Sequence, residues 1–327
     1  MTATQFAPLI ADDNQDLPRN VESPRSRQDT AFRVVLMSCA GVVVLLVFAI
    51  TLFLAQKAWP VLRTSGLRFF TTSVWAPGNP GKYGILGDLL GTVIVAVVAL
   101  AVAFPISLAT ALAINEYVPG AARRMLITLI DLLAAVPSLV YGLWGVTVFD
   151  AWVTGSTIWL SKHAAFFPLF QPGPGKVGRS LFVCGLVVAI MVTPIVTSVS
   201  REVMSQVPRE QCEGALALGG TKWGMVTDVI LPFARNGIIG AALLGLGRAL
   251  GETIAVTLIL SVTNLPNSHI LYPGGGTVPA LIVNWYAQVG SGRGLDALTL
   301  AGLTLFALTL GVNIIARIIV SRSGTPA

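Results

Sequence analysis

The chain has 327 residues, of which 54% are apolar and only 11% are charged, and its mean hydropathy is +0.78. A soluble domain carries about 25% charged residues, and a chain this poor in them would expose apolar patches well beyond the few hundred Å² that monomers tolerate. The sequence is therefore that of an integral membrane protein. Soluble enzymes and disordered chains are excluded, and the net charge of +6 includes no long basic run suited to nucleic acid.

Residues 1–33 are polar, with Asp12, Asp13, Asp16, Pro18 and Pro24, and predict a flexible tail (1–32) ahead of a membrane domain (33–327). No apolar stretch lies near the start, as a cleavable signal peptide would need. The first one, Val34–Ala55, is uncharged over 22 residues. At 1.5 Å per residue it reaches about 33 Å, enough for a hydrocarbon core of about 30 Å. Five more spans are expected at Leu89–Ile114, Met125–Phe149, Ser180–Ser200, Asn236–Val262 and Ala297–Ala316. Six spans place both termini on one side. Putting that side in the cytoplasm gives the inner segments 12 of the 21 Lys and Arg residues, an inward bias. The outer segments 57–84, 150–179 and 263–294 then read as loops. Their Trp59, Trp75, Trp152, Trp159, Trp285 and Tyr286 suit the headgroup region, or a docking surface.

Several chemistries find no residues to carry them. The pairs Gly81-Lys82 and Gly175-Lys176 are followed by Tyr83 and Val177, and Ala76 and Phe170 stand where a P-loop needs its first glycine. Cys39, Cys184 and Cys212 are odd in number and far apart, without disulfide or zinc spacing. His163 and His269 have no ligand cluster beside them and read as loop residues. The expectation is a chain with no metal, no cofactor and no catalysis of its own.

Two elements stand out. The first is the segment 201–235, where Pro208 precedes a helix-forming stretch with Glu210 and Glu213 in its early turns, Gly219-Gly220 stop it, and a second short helix precedes Leu231-Pro232. On physics alone this is an amphipathic connector or a docking element for a partner. The second is Arg248 and Glu252 in the fifth span. An Arg near the bilayer centre costs about 2.5–3.5 kcal/mol on the translocon scale, so it defaults to a functional role. At a spacing of four residues the two side chains would share one helix face. They would form either an internal ion pair for packing or a charged pair on a translocation path. The guanidinium fork suits tetrahedral oxyanions; Glu252 would hold the Arg or accept a hydrogen bond from a protonated phosphate oxygen. Gly240, Gly245, Gly247 and Gly251 include a GxxxG at 247–251 that predicts close helix approach. In the third span Pro137 predicts a kink, and Asp131, about two turns from Arg123-Arg124, a local charge pair.

The spacing Glu213-Gly214-Ala215, three residues, Gly219, nine residues, Val229, one residue, Leu231-Pro232 resembles the EAA loop of ABC importer permeases. Gly214 and Val229 depart from the pattern conservatively. The resemblance implies an all-α polytopic type I importer permease whose loop residues Glu213, Gly214, Ala215, Gly219, Leu231 and Pro232 couple to a separate ATPase, where ATP and Mg would bind. Leu132–Gly145, Gly245–Thr253 and the run from Pro194 through Ser198–Val203 further resemble PstC-type permeases of phosphate-specific (Pst) importers. That likeness implies passage of inorganic phosphate along Arg248 and Glu252, with a PstA-type permease, two PstB-type ATPases and a PstS-type binding protein as partners in the bilayer. A permease for another oxyanion and an ion-coupled secondary transporter are the alternatives; the latter would show intramembrane relays and paired broken helices.

Overall fold

The computed structural model describes residues 27–323 except 79–80, 172, 174–176, 261–262 and 264–265. The expected tail lies outside the described residues up to position 26, as does part of the Gln171–Lys176 run. The chain divides into two compact units, one ending at Thr51 and one beginning at Leu52. In the first, every residue from Arg27 to Ile50 is helical and exposed. From Val34 onward that surface is apolar, which hydrocarbon solvates and water does not.

Helix α1 is Arg27–Ser65, longer than the apolar run because good helix formers flank it on both sides. Within the second unit its Ala58 and Val61 are buried with Phe69 of the short helix α2 (Arg68–Thr71) and with Trp75 and Tyr83. Those two aromatics pair across a small antiparallel hairpin, β1 (Trp75–Ala76) against β2 (Lys82–Tyr83). Helix α3 (Leu86–Leu112) ends in a π-helical turn, Ala113–Tyr117. There follow α4 (Gly120–Ala135), α5 (Ser138–Trp144) and α6 (Asp150–His163). Helix α7 is Leu181–Ser205, and the loop after it carries α8 (Arg209–Ala217) and α9 (Lys222–Met225). The last helices are α10 (Leu231–Gly251), α11 (Ile254–Ile259), α12 (Val278–Val289) and α13 (Arg293–Ser323).

Helices α3 and α7 form the centre. Small residues Ala96, Ala99 and Ala103 let α3 lie against Cys184, Val187 and Val188, and Ala241 and Ala249 of α10 close the cluster. At one end Tyr83, Ile85 and Val278 are buried with Ala297, Leu298 and Ala301 of α13. At the other, Ala111 and Met204 are buried with Met225, Ile230 and Ala234. Helix α10 therefore starts at the end holding α8 and α9, and α13 starts at the opposite end and runs back.

Five helical stretches are long and apolar enough to cross a membrane, and a sixth is a pair, α4 with α5–α6, bent by 88°. The count agrees with the sequence; the continuity does not. The expected span 125–149 is broken at Val136-Pro137, where both residues turn extended (ψ 129° and 141°). Proline removes an N–H and disfavours helical geometry for the residue before it, so the expected kink becomes a break. The Tyr141 hydroxyl donates to the Leu133 carbonyl freed there, at 2.9 Å. The expected span 236–262 stops at Gly251 and resumes as α11, and positions 261–262 lie outside the described residues. All three segments expected as outer loops contain helix: the end of α1 with α2 in the first, α6 in the second and α12 in the third. Thr277 starts α12 with its hydroxyl accepting from the Ala280 N–H, and Val278, Pro279, Ala280 and Leu281 are buried.

Candidate functional site

Arg248 occupies the last turn of α10 and its residue is exposed. Glu252 is not on the same helix face. Its ψ of 121° ends α10, and its side chain, 9% exposed, accepts from the Ala255 N–H of α11 at 3.4 Å. Thr253 donates to the Gly251 carbonyl at 3.0 Å. The two side chains thus stabilise a helix break, satisfying backbone groups that hydrocarbon would leave bare. The i,i+4 pair read from the sequence is corrected accordingly. Among the described residues, Arg248 and Glu252 form no ion pair, because the chain turns away from helix between them.

The break opens onto space. A cavity of about 420 Å³ is bordered by Ser138, Arg248, Gly251, Glu252 and Thr253. A larger one, about 1280 Å³, lies between α7, α10 and α13 and also has Arg248 on its wall. The guanidinium-bearing residue is therefore common to both. The glycines divide in a way the sequence did not indicate. A Cβ on Gly245 would stand 2.6 Å from Val196 Cγ2, so Gly245 is what lets α7 approach. Gly247 and Gly251, the GxxxG pair expected to pack, face open space within this chain and line the cavities instead.

The loop between α7 and α10 has the expected helix, glycine turn and second helix. Gly219 has φ +88°, a conformation that costs a side-chain-bearing residue roughly 1–2 kcal/mol. The N–H groups of Gly219 and Gly220 donate to the Leu216 and Ala215 carbonyls, closing α8. Thr221 starts α9 with its hydroxyl accepting from Gly224. Leu231-Pro232 do not end the second helix. A π-helical turn, Val226–Ile230, carries α9 straight into α10 with Pro232 in the first turn, and the wider turn absorbs the missing proline N–H.

The loop has two faces. Cys212, Ala215, Val229 and Leu231 pack on the cluster of Ala111, Met204 and Ile230. Glu213, Gly214 and Gly219 are exposed, and beside them Leu216, Leu218 and Trp223 are 44%, 90% and 65% exposed. Those three apolar residues were missed from sequence; a Leu on each side of Ala217, ahead of a glycine turn, was the available signal. The loop is also tied to the end of α3. Asn115 of the π turn donates to the Arg201 carbonyl at 2.9 Å and accepts from Arg123 at 3.0 Å. The Cys212 thiol is pushed above its ordinary pKa by burial, then by the charges of Glu116 and Glu213. Asp131 is exposed and, among the described residues, forms no ion pair with Arg123 or Arg124. His163 stacks on Trp159, and the His269 ring lies 3.2 Å from the Gln171 carbonyl. Among the described residues no three His, Cys, Asp or Glu side chains gather as a metal site would need.

A helical core with an interrupted span beside a cavity, and a two-helix knuckle at one end, is the layout expected of a type I ABC importer permease. A chain of a bacterial alginate ABC transporter, solved in complex with an alginate pentasaccharide-bound periplasmic protein, superposes with a TM-score of 0.61 at 16% identity, over 89% of this chain and 94% of its own, which is a likeness of fold. Residues 103–324 match the family described as binding-protein-dependent transport system inner membrane component. The phosphate transport system permease protein PstC 2 of Mycobacterium tuberculosis is 35% identical over 300 residues, 90% of this chain and 93% of that one. PstC of Mycobacterium leprae is 39% identical over 272 residues, 82% and 85% of the two chains. The chain belongs to the PstC permease family of binding-protein-dependent transport systems.

Proposed function

We propose that the chain is the permease subunit that carries inorganic phosphate inward through an ATP-driven importer. The observation that carries this reading is the position of Arg248, in a membrane-crossing helix, unpaired among the described residues and shared by the walls of two cavities. A guanidinium there is costly unless an anion offsets it, and its fork of donors matches a tetrahedral oxyanion. The relatives' names, phosphate transport system permeases, supply the choice among oxyanions. Glu252, aimed into α11 and bordering the smaller cavity, holds the break open and presents one carboxylate edge to a protonated phosphate oxygen.

Energy arrives from outside this chain. The α8–α9 knuckle docks on a PstB-type ATPase, which holds ATP and Mg; Glu213, Gly214, Ala215, Gly219, Leu231 and Pro232 shape the knuckle, and Leu216, Leu218 and Trp223 supply its apolar contact. A PstA-type permease completes the passage, a second PstB-type subunit serves it, and a PstS-type protein delivers phosphate at the outer face. The termini and the knuckle lie in the cytoplasm, as the Lys and Arg bias supports. Reconstitution in vesicles tests this. Phosphate uptake should require all three partner types and ATP; uptake by this chain alone would establish an ion-coupled carrier in its place.

A further inference from the structure

The larger cavity continues well past Arg248. Along α10 its wall runs through Gly240 to Asn236, 12 residues from Arg248 and therefore about 18 Å away along the helix. Along α13 it runs from Thr309 through Asn313 to Arg317, about 12 Å. The two helices are antiparallel, so Asn236 and Arg317 lie together at the end that carries α8 and α9, and Thr309 lies toward Arg248. Between these polar ends the wall is Leu243, Leu244, Leu310 and Ile314.

An anion released by Arg248 passes Leu243, Leu244, Leu310 and Thr309, whose hydroxyl donates to the Leu305 carbonyl, before it reaches the two amides and the second guanidinium. Among the described residues Arg317 forms no ion pair. In the sequence it counts only toward the inward Lys and Arg bias. An Arg that merely anchors a helix in the headgroup layer turns its charge to the water and borders no passage. Here it borders the same cavity as Asn236 and Asn313, with Leu310 and Ile314 beside them.

We propose that Asn236, Asn313 and Arg317 form a second oxyanion station at the coupling-loop end of the passage, which takes phosphate from Arg248 and hands it to the cytoplasm. Two stations lower the cost of crossing the apolar stretch, because each binds weakly enough to release; a single strong site would trap the ion. The station rests on the phosphate-permease reading and extends it by three residues. Asn313 and Asn236 orient the anion, and Arg317 offsets its charge.

The test uses the complete importer in vesicles, with phosphate-loaded binding protein. Arg317→Gln and Asn313→Leu should each lower phosphate uptake roughly tenfold, the loss expected for one charge-assisted donor. ATPase stimulation by the binding protein should remain, since delivery and docking lie elsewhere. Arg317→Lys should recover part of the uptake. Normal uptake in both variants, with Arg248→Gln inactive beside them, would overturn the station and leave the first site standing. Normal uptake in Arg248→Gln as well would overturn the underlying reading. The same phosphate chemistry could come from a lipid headgroup, so the assay is repeated in vesicles of phosphatidylcholine alone. A defect that persists there supports a free-phosphate station; one that appears only with anionic lipid would assign Arg317 to a headgroup and end the proposal.

Discussion

Lys222 donates its ammonium to the Glu116 carbonyl and lies 4.4 Å from the centroid of the Tyr117 ring, so the first residue of α9 is clamped to the π-helical end of α3. Together with Asn115 bound to the Arg201 carbonyl, this joins the knuckle to the helix that forms the centre of the core. A knuckle moved by a partner would then move α3 and α7 rather than swing freely.

Lys222→Met keeps the stem and removes the charge and both contacts. The clamp is exposed, so its loss should cost only about 1 kcal/mol, and the assembled complex should persist. The expected result is uncoupling: more ATP hydrolysed per phosphate moved in reconstituted vesicles. An unchanged ratio would show that the clamp transmits nothing.

Gly219 and Gly214 should respond in opposite directions. Gly219→Val forces a β-branched residue to φ +88° and should distort the turn by about 1–2 kcal/mol, weakening ATPase association on pull-down. Gly214 lies inside α8, where nothing stands within 4 Å of an added Cβ. Gly214→Ala should therefore strengthen α8 by about 0.5–1 kcal/mol and leave association intact. Weakening by both would mean that the knuckle's surface, rather than its turn, sets the affinity.

How much of this was legible in the sequence follows from what each signal is made of. Span number and the knuckle were legible, because hydropathy fixes the first and the Gly219 turn the second. Pro137 announced its break, since the missing N–H is a property of the residue. The break after Gly251 was not announced: Glu252 and Thr253 are not helix breakers, and the apolar run continues past them. It is held by the bonds from Ala255 to the Glu252 carboxylate and from Thr253 to the Gly251 carbonyl, visible only once the chain has turned. The same limit hid the division of labour among Gly245, Gly247 and Gly251, which depends on what stands opposite each one. Helix α12, at 12 residues, is too short for a span, and α6 carries the bent pair past the point where the apolar run ends, so a hydropathy reading returns loops at both.

Cys212 reports on the knuckle by its chemistry. Burial raises the thiol pKa first, and Glu116 and Glu213 raise it further. The neutral thiol is favoured in the folded chain, so alkylation by iodoacetamide should accelerate only above the pH at which an ordinary thiol ionises. The sign for stability follows: the neutral form's contribution is complete below the unfolded pKa and is lost as pH rises through the folded one. Glu213→Gln removes one of the two charges and should move the alkylation midpoint downward. A midpoint unmoved by that change would place Glu213 too far from Cys212 to matter.

Arg248 is where the transport reading is most exposed to test. Arg248→Gln keeps a donor and much of the length but removes the charge, so the cavity no longer offsets an anion. Uptake should fall below a tenth of the unaltered importer's, since one charged partner contributes more than about 1.4 kcal/mol in such a setting. Arg248→Lys restores the charge as a point rather than a planar fork and should recover only part of the rate. The assembled complex should be recovered in both cases, because Arg248 is exposed within this chain and none of its core rests on it. Normal uptake by Arg248→Gln, with the complex intact, would remove this residue from the phosphate path.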